Sequence, residues 1–219
     1  MSSRLALFDL DNTLLAGDSD HGWGEFMVQQ GLVDAADYGA KNDAFYADYL
    51  AGSLDMVAYA EFALAPLTQY SVQELNHIHE QFMQTTVIPM IAPKTQALLQ
   101  THREAGDVLV IITATNDFIT GPIASYLDIP HLIATPTECI DGRYTGKLSG
   151  SPCFKAGKID KLKTWMSQQG HTIEGACFYS DSHNDLPLLE LVDEPIAVDP
   201  DAQLEAHALA KGWPVLSLR

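Results

Sequence analysis

Short apolar runs that stop at a polar residue recur along the chain. They are Leu5 to Phe8 before Asp9, Val108 to Ile112 before Thr113, Ala176 to Tyr179 before Ser180 and Asp181, and Ile196 to Val198 before Asp199. Uninterrupted apolar runs of this length are typical of strands buried on both faces, as in parallel sheets. We therefore expect these four segments to be neighbouring strands of one sheet.

Segments with helical character precede the last two strands, at residues 158–169 and 186–192. This alternation of strands and helices predicts an α/β domain with a doubly wound, Rossmann-like parallel sheet. In such sheets the loops beyond the carboxyl ends of the strands converge on one crevice. Asp9, Thr113 and Asp181 are therefore expected to be neighbours.

The stretch between the first two strands is much longer than one strand-helix-strand unit, because Asp9 and Thr113 lie 104 positions apart. Helices are predicted over residues 20–30, 35–50, 54–65 and 71–85, the last opened by a capping box at Ser71 and Glu74. We interpret residues 15–85 as an inserted all-helical cap, a small four-helix bundle, and residues 1–14 and 86–219 as the core domain. Asp141-Gly142 predicts a hairpin turn.

Composition narrows the class of protein. The chain has 219 residues, 47% of them hydrophobic, and a formal net charge of −17. A charge of this sign argues against a nucleic-acid or anionic-membrane surface, and no apolar run approaches the roughly 18 residues of a membrane span. We expect a cytoplasmic protein without nucleic-acid or membrane partners; the sequence leaves the oligomeric state open. Three cysteines without paired spacing predict neither disulfides nor a zinc site.

The chemistry-bearing residues follow the predicted strands. Asp9 and Asp11 occupy one strand-end turn, and Asp181 and Asp185 occupy another. Oxygen ligands from two such loops suit Mg²⁺, and paired carboxylates can supply a nucleophile and an acid. Thr113 offers a hydroxyl to an anion. His77 and His79 are two apart on a predicted helix, which disfavours a shared metal and indicates surface positions.

The order of these elements resembles the haloacid dehalogenase superfamily, and the block from Asp181 to Leu189 is similar to its phosphoserine phosphatase branch. The resemblance implies a Mg²⁺-dependent phosphatase that forms an aspartyl-phosphate, acting on a small phosphorylated metabolite. It implies the following roles: Asp9 as nucleophile, Asp11 as general acid and base, Asp9, the Asp11 carbonyl and Asp181 as metal ligands, Asp185 as their support, and Thr113, Lys158 and Asn184 as phosphate-binding residues.

Several points depart from that branch or stay open. Thr113-Ala114-Thr115 stands where phosphoserine phosphatases show two glycines after the hydroxyl residue, and serines at 180 and 182 replace flanking glycines. Lys155 competes with Lys158 as the phosphate lysine and ranks below it on spacing. A phosphotransferase or sugar-phosphate mutase could use the same two aspartates, and a binding module with an inactive site is a further alternative.

The predicted cap points to a substrate class. Residues 15–85 contain eleven Asp and Glu residues against Lys41 and no arginine. Phosphoserine phosphatases typically pair a cap arginine with the substrate carboxylate, whereas Asp18 matches their acid for the substrate amine. We therefore expect a cationic leaving group without a carboxylate, with L-histidinol phosphate as the best candidate and phosphoserine or another small metabolite as alternatives. Cap aromatic residues either pack in the core of the bundle, the preferred interpretation, or form a wall for this leaving group: Trp23, Phe26, Phe45, Tyr46 and Tyr49.

Overall fold

A parallel six-stranded sheet forms the centre of the computed structural model, which describes residues 4–219. Its strand order is β3-β2-β1-β6-β7-β8, and β4 and β5 form a separate antiparallel hairpin. The strands are β1 (Leu5–Phe8), β2 (Val108–Asn116), β3 (His131–Thr135), β4 (Thr137–Ile140), β5 (Arg143–Leu148), β6 (Cys177–Ser180), β7 (Glu194–Val198) and β8 (Val215–Leu216). The prediction of a doubly wound α/β fold is confirmed.

Helices cover the sheet and fill the stretch between β1 and β2. They are α1 (Ser19–Gln29), α2 (Ala35–Leu50), α3 (Met56–Leu64), α4 (Val72–Phe82), α5 (Ile88–Met90), α6 (Thr95–Ala105), α7 (Asp117–Tyr126), α8 (Ala156–Gln169), α9 (Leu186–Leu189) and α10 (Ala202–Lys211). A 3₁₀ turn at Ala65–Gln69 follows α3, and a π-helical turn at Met83–Val87 extends α4. Among residues 4–219, no helix combines the length and apolar character of a membrane span.

Strand β1 lies in the middle of the sheet, paired in parallel with β2 and β6. Its four residues are fully buried; Ala6 and Phe8 pack into one hydrophobic layer, and Leu5 and Leu7 into the other. Because successive side chains of a strand point to opposite faces, a strand covered on both sides must be apolar at every position. This arrangement places the carboxyl ends of β1, β2 and β6 side by side.

The four helices predicted for the insertion are present, and polar N-caps set where they begin. Asp18, Asp34 and Asp55 accept hydrogen bonds from the first backbone N–H groups of α1, α2 and α3. Ser71 and Glu74 form the predicted capping box of α4. The boundaries of the cap at residues 15 and 85 stay a prediction, and residues 1–3 of the proposed core segment lie outside the described residues.

Other elements differ from the sequence prediction. The second strand continues to Asn116 beyond the predicted end at Ile112, with an irregular register against β3. Helix α9 has only four residues, shorter than predicted, because the chain turns at Glu190. The elements α6, α7, β3, α10 and β8 were not predicted. The hairpin at Asp141-Gly142 is confirmed, with φ of 49° and 73° at the turn.

The surface position predicted for both cap histidines is wrong for His79. His77 is exposed, whereas His79 is 4% exposed and packs among the rings of Trp23, Phe82 and Phe118. Its Nε2 lies 3.1 Å from the carbonyl oxygen of Ile119, so this nitrogen carries the proton and donates. The contact ties α4 to α7, across the junction between the insertion and the sheet.

We predict that His79 makes stability depend on pH. Burial lowers the pKa of His79 below the ordinary value of 6.5. The unfolded chain then binds the extra proton first, so the stabilisation by His79 is complete above about pH 6.5 and is lost as the pH falls towards the folded pKa. Each kcal/mol lost lowers Tm by about 2–4 °C.

Thermal unfolding from pH 5 to pH 8 measures this effect in the unchanged protein, His79→Gln and the matched surface variant His77→Gln. The Tm deficit of His79→Gln should be largest at pH 8 and should shrink on acidification, while His77→Gln follows the unchanged protein. A His79→Gln deficit that is constant across this pH range would contradict the assignment.

Candidate active site

Asp9 follows the last residue of β1, and its carboxylate is 5% exposed. The chain turns sharply after it: Asp11 has extended φ and ψ of −70° and 135°, and Asn12 adopts a left-handed φ of 57°. Asparagine tolerates this conformation better than most residues. The turn brings Asp9 and Asp11 to the wall of the same cavity, as predicted.

Lys158 is the fixed cation beside Asp9. Its Nζ donates to Asp9 Oδ1 at 2.8 Å and to Asp185 Oδ2 at 2.7 Å, and its side chain is 3% exposed. Asp185 Oδ2 also accepts a hydrogen bond from Ser180 Oγ at 2.7 Å. Burial alone would lower the pKa of Lys158, but the carboxylates of Asp185 and Asp9 raise it. Lys158 is therefore held in its charged form.

Backbone geometry explains why Lys158, and not Lys155, reaches the carboxylates. Lys155 has a φ of 50° at the start of α8, and its Nζ donates to the carbonyl oxygen of Gly52 at 2.8 Å. A Cβ atom at Gly157 would lie only 2.5 Å from the carbonyl oxygen of Pro152. Because residue 157 has no side chain, the first turn of α8 can lie close to the backbone of Pro152, and Lys158 points towards β1.

Asp11 is buried and accepts two hydrogen bonds. The backbone N–H of Ser19 donates to Oδ1 at 2.6 Å, and Thr115 Oγ1 donates to Oδ2 at 2.8 Å. Burial, followed by the charge of Asp18, raises the pKa of Asp11 to about 7. A substantial fraction of Asp11 is then protonated near neutral pH, which suits a general acid.

Asp181 lies beside Asp9 at the end of β6, and Thr13 connects them. Thr13 Oγ1 donates to Asp181 Oδ1 at 3.1 Å, lies 3.5 Å from Asp9 Oδ2, and accepts from the backbone N–H of Asp181. Burial raises the pKa of Asp9 to about 7 against the opposing effect of Lys158. Burial, then the charges of Asp9 and Asp185, raises the pKa of Asp181 well above its usual range.

This arrangement fits a divalent cation. Carboxylate oxygens are the hard ligands that Mg²⁺ prefers, and Mg²⁺ commonly uses only one or two of them. The carboxylates of Asp9 and Asp181 lie close together away from solvent, and a cation bound between them would reduce their mutual repulsion. Within residues 4–219 no three Asp, Glu, His or Cys side chains converge as a metal group. The expected ligand set has two carboxylates, Asp9 and Asp181, and its third ligand would be the backbone carbonyl of Asp11.

The two remaining phosphate-binding candidates differ in position. Thr113 is 1% exposed and lines the same cavity as Asp9, and its Oγ1 accepts from the backbone N–H of Thr115. Asn184 follows β6; its Nδ2 donates to Ser182 Oγ at 3.2 Å, and its Oδ1 lies near Gly52 of the insertion and has no hydrogen-bond partner among the described residues. Asn184 is absent from the cavity lining. The role predicted for it stays a prediction.

A cavity over the strand ends lies between β1, β2 and helices α1 to α3. Its lining is Asp9, Asp11, Asp18, Asp20, His21, Asn42, Phe45, Tyr46, Tyr49, Leu54, Met56, Tyr59, Thr113, Ala114 and Thr115. No Lys or Arg is among these residues, and Lys41 is exposed on α2.

The aromatic wall predicted for the cap is partly correct. Phe45, Tyr46 and Tyr49 line the cavity. Trp23 and Phe26 do not; each is 2% exposed in the hydrophobic core, where the two rings pack against Phe82. Tyr59 lines the cavity instead.

Sequence reasoning missed Thr115, Asp20 and Tyr59 as site residues. Thr115 could have been found, because it is two positions after Thr113 and strand residues at this spacing share a face. Asp20 follows Asp18 by two positions in the first turn of α1. Tyr59 carries no signal of its own, since packing of α3 against the strand ends decides which of its residues face the cavity.

Comparison with known proteins gives close relatives. A histidinol-phosphatase of Neisseria meningitidis is 49% identical over 99% of both chains. The phosphoserine phosphatase SerB1 of Mycobacterium tuberculosis is 32% identical over 98% of this chain and 70% of its own. A protein of unknown function from Bordetella pertussis has a solved structure that matches with a TM-score of 0.94 and 41% identity over the whole of both chains.

A more distant structure supports the fold alone. A substrate-bound phosphoserine phosphatase matches with a TM-score of 0.72 at 14% identity, over 100% of this chain and 94% of its own. The family model for haloacid dehalogenase-like hydrolases matches residues 6–190, a span that runs from β1 past the acidic loop at Asp181 and Asp185. This chain therefore belongs to the haloacid dehalogenase-like hydrolases.

Proposed function

We propose that the chain is a Mg²⁺-dependent phosphomonoesterase that acts through an aspartyl-phosphate on a small cationic phosphate ester, best represented by L-histidinol phosphate. The observation that carries the proposal is the pairing of two aspartates in one cavity. Asp9 is paired with the ammonium of Lys158, whereas Asp11 accepts hydrogen bonds only from Ser19 and Thr115 and forms no ion pair with a Lys or Arg among the described residues.

The two aspartates divide the reaction between them. An Asp9 carboxylate oxygen attacks phosphorus, and the bond from phosphorus to the ester oxygen breaks while protonated Asp11 gives its proton to the leaving alkoxide. Asp11, now ionised, takes a proton from water, whose oxygen attacks the phosphorus of the aspartyl-phosphate. The bond to Asp9 breaks, so inorganic phosphate leaves and both carboxylates are restored.

The surrounding residues stabilise charge during both steps. Lys158 keeps its ammonium next to Asp9, where negative charge concentrates, and the Thr113 hydroxyl can donate to a phosphoryl oxygen. Asp9, Asp181 and the Asp11 carbonyl would hold Mg²⁺, which shields the nucleophile from the phosphate and polarises the phosphoryl oxygens. The Thr13 hydroxyl donates a hydrogen bond to Asp181 and so holds the Asp181 carboxylate beside Asp9.

The charge of the cavity supports the choice of substrate. Four aspartates and no Lys or Arg line it, so a leaving group with a carboxylate would meet repulsion, and a cationic one attraction. The relative with 49% identity is named histidinol-phosphatase. Phosphoserine is the second candidate, because a relative with 32% identity is named phosphoserine phosphatase. Its amine suits Asp18, but its carboxylate meets no Lys or Arg among the residues that line the cavity.

We expect Asp9→Asn to lower kcat by at least about 10³-fold, because the amide keeps the shape of the side chain but cannot attack phosphorus. Released phosphate measures this, with Asp128→Asn, in an exposed turn outside the cavity, as the matched control. Circular dichroism checks that both variants are folded. Near-parental turnover by Asp9→Asn would show that another residue is the nucleophile.

Removal of divalent metal should stop the reaction. We expect excess EDTA to abolish phosphate release and Mg²⁺ to restore it, while Ca²⁺ restores little because its looser coordination can engage both oxygens of Asp9. Asp181→Asn should raise the Mg²⁺ concentration for half-maximal activity by about tenfold or more. Full activity in excess chelator would overturn the metal dependence.

We expect kcat/KM to be at least about tenfold higher for L-histidinol phosphate than for phosphoserine, a difference of about 1.4 kcal/mol in transition-state binding. Initial rates with both esters and with 4-nitrophenyl phosphate as an uncharged reference measure it. Asp18→Asn removes the charge but keeps an oxygen to cap α1, so it should reduce this preference and spare the reference ester. A preference for phosphoserine would indicate that a cation outside the cavity lining binds its carboxylate.

A further inference from the structure

Asp20 is a second carboxylate on the leaving-group side of the cavity. It lies in the first turn of α1, two residues after Asp18, and is half-buried. The Tyr59 hydroxyl of α3 interacts with its carboxylate, and Asn116 Nδ2 lies 3.4 Å from Oδ1. Among the described residues, no Lys, Arg or His forms an ion pair with Asp20. Its charge is therefore available to a ligand.

Asp18 and Asp20 lie at different distances from Asp9 in the cavity. Burial chiefly raises the pKa of Asp18, and the charge of Asp9 contributes to that rise. Burial also raises the pKa of Asp20, with contributions from Asp18 and then Asp11 but not from Asp9. Asp20 also lines a second, adjoining cavity that neither Asp9 nor Asp18 lines, so it lies further from the nucleophile than Asp18 does. A leaving group that extends away from Asp9 passes Asp18 first.

That adjoining cavity is narrow. Asp20, Met56, Tyr59 and Ala114 line both cavities, and the far part is lined mainly by apolar residues of α3 and by Leu148 of β5. The half-buried carboxylate of Asp20 therefore stands at the end of the first cavity that is remote from Asp9, among apolar and aromatic side chains.

We propose that Asp20 is a specificity-determining residue that binds a second cationic group of the substrate, a protonated ring nitrogen, while Asp18 binds the amine. The proposal rests on the proposed function of this site. It assigns to Asp20 the distinction between substrates with one cationic group and substrates with two. An imidazolium N–H donates to the Asp20 carboxylate, and Met56 and Tyr59 flank the ring. Asp11 keeps its proposed role as the acid that protonates the leaving oxygen.

Physical chemistry favours this pairing over a neutral contact. A half-buried carboxylate near two other carboxylates is stabilised by a cation that enters the cavity, and a charge-assisted hydrogen bond is stronger than a neutral one. A flat ring with a polar edge can place that edge on Asp20 and its faces against apolar and aromatic side chains. The same features repel a carboxylate or a second phosphate.

Three esters separate the roles of the two residues: L-histidinol phosphate has an amine and a ring, ethanolamine phosphate has only an amine, and 4-nitrophenyl phosphate has no cation. Asp20→Asn should lower kcat/KM for histidinol phosphate by about 10- to 100-fold, mainly through KM, because one hydrogen bond to a charged group is lost. It should leave the other two esters within about twofold. Asp18→Asn should lower both amine-bearing esters.

Asp37→Asn is the matched control, since it removes the same charge from the first turn of α2 at an exposed position outside both cavities. It should not alter any of the three esters. Equal losses by Asp20→Asn on all three esters would show a structural role through Tyr59 and Asn116 and would overturn the proposal. An unchanged kcat/KM for histidinol phosphate would also overturn it.

The same measurements distinguish failure of this inference from failure of the proposed function. If the unchanged protein hydrolyses none of the esters with Mg²⁺ present, the proposed function fails. If it hydrolyses histidinol phosphate and Asp20→Asn has no selective effect, only the assignment of Asp20 fails.

Discussion

The buried ion cluster of Lys158 with Asp9 and Asp185 is the interaction on which the site depends. One ammonium lies within 2.8 Å of two carboxylates, and all three side chains are almost completely buried. Removing any partner would leave an uncompensated charge in a low-dielectric interior, which costs far more than the net worth of the cluster. The cluster therefore fixes α8, the end of β1 and the loop after β6 in one arrangement, and Asp9, the proposed nucleophile, is positioned by the same contacts that hold these elements together.

Hydrophobic pattern predicted the centre of this arrangement because the sheet is buried on both faces. Strands such as β1 must be apolar at every position, so their ends are visible in the sequence and the convergence of Asp9, Thr113 and Asp181 follows from topology. Peripheral elements carry no such constraint. Strand β8 has two exposed residues, and α6 and α10 each bury only two or three side chains, so few apolar positions mark these elements in the sequence.

Contacts between the insertion and the core were the least predictable part of the site. His79 has the sequence context of a surface helix residue, yet its environment is decided by the aromatic cluster that α1, α4 and α7 form together. Tyr59 and Asp20 likewise face the cavity only because α3 and α1 pack over the strand ends. Spacing did rank Lys158 above Lys155, but the reason lies in the backbone, where Lys155 turns towards Gly52.

The distribution of charge over the cavity links the fold to the choice of ligand. Three of its four aspartates also have a structural role. Asp9 follows the end of β1, Asp11 accepts hydrogen bonds from Ser19 and Thr115, and Asp18 caps α1. Asp20 caps no helix and ends no strand; its contacts are with the Tyr59 hydroxyl and, at 3.4 Å, with Asn116. A carboxylate that is half-buried near other carboxylates destabilises the free protein. On the proposed function, a cation in the cavity would offset that cost, and the positive charge of the leaving group would then lie next to α1.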